Sequence, residues 1–189
     1  MAFLNNNELE KIGFAKLGKN VLISDKCSIY NPDLMSVGDN SRIDDFCVIS
    51  GNVSLGRNVH IAVYCNVAGG EKGIMMEDFS GLAYNVNVFS QSDDYSGLSL
   101  TNPTVPDEYK KETKASVLIK KHVIVGTGSV IFPGVTIEEG CSIGALSLVI
   151  RSTKPWGIYV GVPAKQVGER KKDMLELEKK YIEECKNDD

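Results

Sequence analysis

Aliphatic residues return at every sixth position along most of this chain. In the stretch IEEGCSIGALSLVI they stand at Ile137, Ile143 and Val149. A period of six fits neither a helix, at about 3.6, nor a strand, at about 2. A fixed repeat has to be read first, because it dictates the architecture. The beat runs through Leu17, Ile23 and Ile29, then Val37, Ile43, Ile49, Leu55, Ile61 and Val67, then Met76, Leu82 and Val88. It resumes 31 positions later at Ile119, Val125, Ile131, Ile137, Ile143 and Val149, which makes 18 hexapeptides.

A second column lies four residues into each unit: Val21, Cys27, Ser41, Cys47, Val53, Val59, Cys65, Ser80, Val86, Val123, Ser129, Val135, Cys141 and Ser147. Nearly all of it is small. Large and small side chains therefore form separate ladders, as the inside of a prism requires. Each hexapeptide supplies one short strand and one turn, and three make a coil. Coils stack at about 4.8 Å, so the repeat predicts about six of them. Four of the five cysteines fall on the small ladder and read as small buried hydrophobes. Asn, Asp and Gly recur at the corners, as in GKNV, GDNS and GRNV, where they accept backbone conformations that other residues avoid.

The ends differ. NNNELEKIGF offers Asn7 as a cap with Glu10 three residues on, so a short helix is expected in the segment 1–16. The prism is expected over 17–154, with a loop thrown out at about 89–117, and 155–189 forms a terminal segment and helix. Met174, Leu177, Tyr181 and Cys185 stand at helical spacing, which predicts a helix packed at the C-terminal end of the prism. The whole reads as one domain.

From GVTIEEGCSIGALSLVIRSTKPWGIYVGVPAK onward to the beat itself, over about residues 15–168, the chain resembles the hexapeptide-repeat acyltransferases. The resemblance implies an all-β left-handed parallel β-helix, a homotrimer with active sites between prisms, and an acyl-CoA co-substrate with no metal. It also implies the branch serving bacterial surface polysaccharides. The final block is similar to the family's coenzyme A slot. There Gly126, Thr127 and Ala145 would let the pantetheine arm approach, Ile150 would flank the adenine, and Arg151 and Lys165 would meet phosphates.

The loop FSQSDDYSGLSLTNPTVPDEYKKETKAS interrupts a scaffold that needs no interruption, which marks it as functional. Where related galactoside and maltose acetyltransferases carry a catalytic His-Pro, this chain has Asp93 and Asp94. A sugar hydroxyl needs a general base to attack a thioester, whereas a neutral amine needs mainly orientation. A lone carboxylate, with a reference pKa near 3.9, suits the second task better. The expected acceptor is therefore a nucleotide-linked amino-deoxy sugar that becomes N-acylated. Asp94 comes first and Asp93 second as the orienting group. The alternatives are O-acetylation of a sugar hydroxyl and a non-catalytic assembly protein.

His60 is a further catalytic candidate. It matches the first histidine of a HIAHDC motif in another branch of the family, although that branch's second, catalytic histidine is Val63 here. Asn66 resembles an acceptor-binding asparagine, and Tyr84, Asn85 and Ser92 are expected to line the same cleft. With only His60 and His122 in the chain, the three-histidine zinc site of a γ-type carbonic anhydrase is not available. The net charge of −4 offers no footprint for nucleic acid. The apolar runs are too short for a membrane span, MAFLNNNELEK does not read as a signal peptide, and the odd cysteine count suits reduced thiols, so a cytoplasmic protein is expected.

Overall fold

The computed structural model describes residues 2–187. The six-residue beat becomes a parallel β-helix of three-sided coils. The first face stacks Lys16–Leu17, Met35–Val37, Val53–Leu55, Ile74–Met76, Val117–Ile119 and Thr136–Ile137. The second stacks Leu22–Ile23, Arg42–Ile43, His60–Ile61, Gly81–Leu82, Ile124–Val125 and Ser142–Ile143. The third stacks Ser28–Tyr30, Val48–Ser50, Asn66–Ala68, Asn87–Phe89, Val130–Ile131 and Leu148–Val149. Six complete coils result, as the repeat predicts. Gly157–Val160 then adds a strand to the second face, and Lys165–Glu169 folds back on it antiparallel.

Register explains the ladders. Ile23, Ile43 and Ile61 are paired in sequence on the second face, and Leu82, Val125 and Ile143 continue the column. Of the large ladder only Leu17 and Ile29, in the first coil, are less than fully buried. Each aliphatic so enclosed contributes roughly 1.5–3 kcal/mol relative to exposure. The small ladder is buried too except for Cys27 in the first coil, which is half-buried rather than buried as expected, and its polar members answer the corner backbone. The Ser41 hydroxyl donates to the Gly56 carbonyl at 2.8 Å, and that of Ser129 to Gly144 at 3.0 Å. Burial pushes the Cys27 thiol up to about 12, with Cys47 beside it adding to the rise.

At the corner between the first and second faces, Asn20, Asn40 and Asn58 take the left-handed conformation, with φ of 55°, 57° and 55°. Asn tolerates this where most side chains do not. The same position in later coils is held by Phe79, His122 and Gly140, and by Trp156 before the added strand, and Phe79 stacks on His122 at a centroid distance of 5.6 Å.

Two helices close the molecule. α1 spans Asn6–Ile12, and its cap is Asn5, not Asn7 as the sequence suggested. The Asn5 side chain accepts from the Glu8 N–H at 3.1 Å, and the Glu8 carboxylate accepts from the Asn5 N–H at 2.8 Å. In a run of three asparagines the reciprocal glutamate decides the cap, and Glu8 is the one in reach. α2 spans Met174–Asn187 and corrects a second expectation. It lies along the corner between the first and second faces rather than across the coil end. Glu178 meets Lys121 and buried His122, and Asn58 donates to the Tyr181 hydroxyl at 3.1 Å. Burial pushes the Glu178 carboxyl up, but hydrogen bonds from Lys121 and His122 outweigh it and hold the group below its ordinary range. The coil end itself is closed by Trp156 and the final hairpin. No helix among the described residues is long and apolar enough to cross a membrane.

The interruption leaves the third face after Phe89. Its neck is a two-stranded antiparallel clasp, Gln91–Ser92 against Thr113–Lys114. Beyond it the chain rejoins the first face at Val117, with Ile74 and Met76 paired to Val117 and Ile119 as though nothing intervened.

Candidate active site

Most of the residues singled out in the sequence gather around the third face. Asn66 projects outward from its strand and pairs in register with Asn87 of the next coil. Tyr84 and Asn85 form the turn at the corner with the second face, and both are exposed. Ser92 and Asp93 stand at the opposite margin, where the loop departs. Asn66, Tyr84, Asn85, Ser92 and Asp93 therefore bracket one surface of the third and fourth coils.

The loop covers a cavity of about 340 Å³ at that margin. Phe89 and Phe132 form its floor, Tyr95, Pro103 and Pro133 its apolar walls, and Gln91, Ser92, Asp93 and Glu112 its polar lining. Asp93 faces this space. Asp94 instead braces the loop: Oδ1 accepts from the Ser96 N–H at 2.9 Å and Oδ2 from the Ser99 hydroxyl at 3.0 Å. Hydrogen bonds from Ser96, by side chain and backbone, with others from Ser99 and Leu98, bring its pKa down to about 2. Such a carboxylate is ionised at all ordinary pH. It can accept a hydrogen bond from an amine, but it is too weak a base to deprotonate a hydroxyl. Glu112 is neutralised by Lys114 at 3.1 Å and Lys110 at 3.9 Å.

His60 is not brought to this cavity within the chain. It projects from the second face, where its Nε2 lies 2.9 Å from Oδ2 of buried Asp44. Arg42 Nε donates to the other oxygen of Asp44 at 2.6 Å. The histidine is thus a member of a charged cluster on a neighbouring face.

The expected donor residues occupy the fifth and sixth coils. Thr127 and Ala145 are exposed at the corner between the second and third faces. The GVPA turn lies beneath, with the Ala164 N–H donating to the Leu148 carbonyl at 2.8 Å, and exposed Lys165 follows it. Ile150 and Arg151 stand across the third face, at its other margin. Gly126 has a packing reason to be glycine: a Cβ there would lie 2.6 Å from the Ala145 backbone nitrogen. Gly126→Ala is therefore expected to destabilise the fold by about 1–3 kcal/mol, read as a lower urea midpoint at unchanged slope.

Sequence reading missed Asn87, Phe89, Phe132 and Glu112. For the first three a signal existed. They lie beside the buried ladder in register columns of the third face, and following its outward columns coil by coil would have found them. Glu112 lies inside the loop, where no period applies.

No protein-family model matches the sequence. The chain is 43% identical over 181 residues to the dTDP-4-amino-4,6-dideoxy-D-glucose acyltransferase of Escherichia coli, covering 94% of each. Its fold matches that of AntD, an N-acyltransferase from Bacillus cereus, in a complex of a serine-to-alanine variant with dTDP-4-amino-4,6-dideoxyglucose and coenzyme A. The TM-score is 0.96 at 49% identity, over 97% of this chain and 98% of that one. A second AntD complex, with dTDP and 3-hydroxybutyryl-CoA, matches with a TM-score of 0.96 at 48% identity, over 97% and 98% of the two chains. Other AntD structures carry alanine or asparagine in place of one aspartate.

Proposed function

Since this chain belongs to the hexapeptide-repeat acyltransferase family that includes the dTDP-4-amino-4,6-dideoxy-D-glucose acyltransferases, we propose that it N-acylates a nucleotide-linked amino-deoxy sugar from an acyl-CoA. The observation that carries this reading is the near-full-length match to an enzyme of that name, since it spans the coils, the loop and the terminal segment alike.

The reaction is a direct transfer in a ternary complex. The neutral amine attacks the thioester carbonyl, the C–S bond breaks, the thiolate leaves, and the amine's proton passes to the departing sulfur or to water. The loop aspartates accept hydrogen bonds from the amine and aim its lone pair. Asn66 and Asn87 offer side-chain amides, with Tyr84 and Asn85 at the margin. Lys165 and the corner of Thr127 and Ala145 hold the donor. O-acylation is disfavoured by the depressed pKa of Asp94 and by the placement of His60 on another face.

The active unit we propose is a homotrimer. Its support is the set of exposed apolar side chains flanking the third face, Phe46, Tyr64, Tyr84 and Leu146 among them, for which a neighbouring prism is the natural cover. The substrates are metabolites of the cytoplasm, where we place the protein, and the product suits surface-polysaccharide assembly.

A free-thiol release assay tests the reaction. With acetyl-CoA or 3-hydroxybutyryl-CoA, thiol is expected to appear with dTDP-4-amino-4,6-dideoxyglucose and not with its 4-hydroxyl counterpart. Equal release from the hydroxyl sugar would overturn the assignment of an amine acceptor.

A further inference from the structure

The third face has two long margins, and they differ in chemistry. At the corner with the second face the fifth and sixth coils expose Thr127 and Ala145, with Leu146 beside them, and lead to the GVPA turn and Lys165. At the opposite margin an apolar rail runs down the molecule. Phe89, Phe132 and Ile150 each follow the registered column of Val88, Ile131 and Val149, so they occupy successive coils. The covered cavity lies at the upper end of this rail and Arg151 at the lower end.

The cavity offers phosphate no free positive charge, because Lys110 and Lys114 at its edge are taken up by carboxylates. Asp93 and Glu112 line it, and no lysine or arginine does. It suits an amino-deoxy hexose: aromatic rings for the ring face and methyl group, carboxylate and amide oxygens for the amine and hydroxyls. Its volume of about 340 Å³ accommodates one hexose but not a whole nucleotide sugar. The rail is the apolar surface that continues from the cavity and can receive the nucleotide. Two coil steps, on the order of 10 Å, separate the level of Phe89 from that of Ile150 and Arg151. In a 4-amino sugar the diphosphate is attached across the ring from the amine. An amine held by the loop aspartates, Asp93 in the cavity lining and Asp94 beside it, thus directs the diphosphate down the rail. Arg151 waits there, exposed and with no salt bridge to any described residue.

Resting on the function proposed above, we infer that Arg151 binds the diphosphate of the acceptor nucleotide sugar and not a phosphate of the acyl donor, as the family resemblance implied. The acceptor occupies the loop-side margin of the third face, and the donor the opposite margin with Lys165.

Two exposed-residue variants separate the arms. Calorimetry with dTDP and with coenzyme A is run on the wild type, Arg151→Ala and Lys165→Ala, alongside steady-state kinetics. Loss of a charge-assisted contact is worth roughly a ten-fold or greater weakening. Arg151→Ala is expected to weaken dTDP and raise the KM of the amino sugar by that factor, with coenzyme A changed less than about two-fold. Lys165→Ala is expected to do the reverse. The inference is overturned if Arg151→Ala weakens coenzyme A instead, if it changes neither ligand, or if the wild type binds no dTDP. If the wild type binds dTDP through Arg151 yet acylates no amino sugar, the proposed reaction fails while the diphosphate site stands.

Discussion

Asp94→Asn is expected to lower turnover about a hundred-fold while the protein stays folded. The asparagine keeps an oxygen for the Ser96 N–H, so the loop retains part of its brace, but it loses the negative charge. Ser99→Ala is the control: it loosens the same brace at 3.0 Å and leaves the charge in place. If the carboxylate acts on the amine, Ser99→Ala retains most of the turnover that Asp94→Asn loses. Near-normal turnover in Asp94→Asn would remove that residue from the mechanism, and Asp93→Asn would then be expected to carry the loss. The pH dependence carries a matching sign. The folded pKa of Asp94, about 2, is depressed from the ordinary value of 3.8. Its contribution to the loop is therefore complete above the ordinary value and lost only as pH falls towards about 2. Any fall in rate between neutral pH and pH 5 then belongs to another group, in the first place the protonating amine of the substrate.

Ile61→Ala is expected to destabilise the protein by about 3 kcal/mol, within the roughly 2–5 kcal/mol range of such truncations. Ile61 is fully buried, and its column continues above and below through Ile43 and Leu82. Coils in a solenoid contact only their neighbours, so a cavity in a middle coil weakens two interfaces at once. The same truncation at Ile29, in the first coil and only partly buried, is expected to cost less than half as much. Urea unfolding of both variants gives the comparison. Equal losses would mean that the coils do not couple in the way the register implies.

The scaffold was legible because its rule is periodic. A beat of six with a small residue four places in fixes the faces, the burial of both ladders and the number of coils. It also places Asn20, Asn40 and Asn58 at left-handed corners. What the period could not reach was decided by contacts distant in sequence. The helical spacing of α2 identified an apolar stripe, yet Leu177 is 65% exposed. The helix is held instead by Glu178, a charge that such a pattern assigns to solvent, because a buried histidine awaits it. Asp44 has no periodic signature in the sequence, and only the fold sets Arg42 and His60 beside it. Phe89 and Phe132 became neighbours only once the loop between them was seen to leave the coil and return in register. The two loop aspartates were visible in the sequence, but their different surroundings were not: one faces a cavity and the other holds a turn.

The clasp at the loop's neck has a consequence for how such enzymes diversify. Because Gln91–Ser92 and Thr113–Lys114 seal to each other, the strands above and below never register what lies between them. The segment from 93 to 112 is in effect an exchangeable cassette. A lineage can trade it for another, changing the walls of the cavity it covers, while inheriting the stacked frame unaltered.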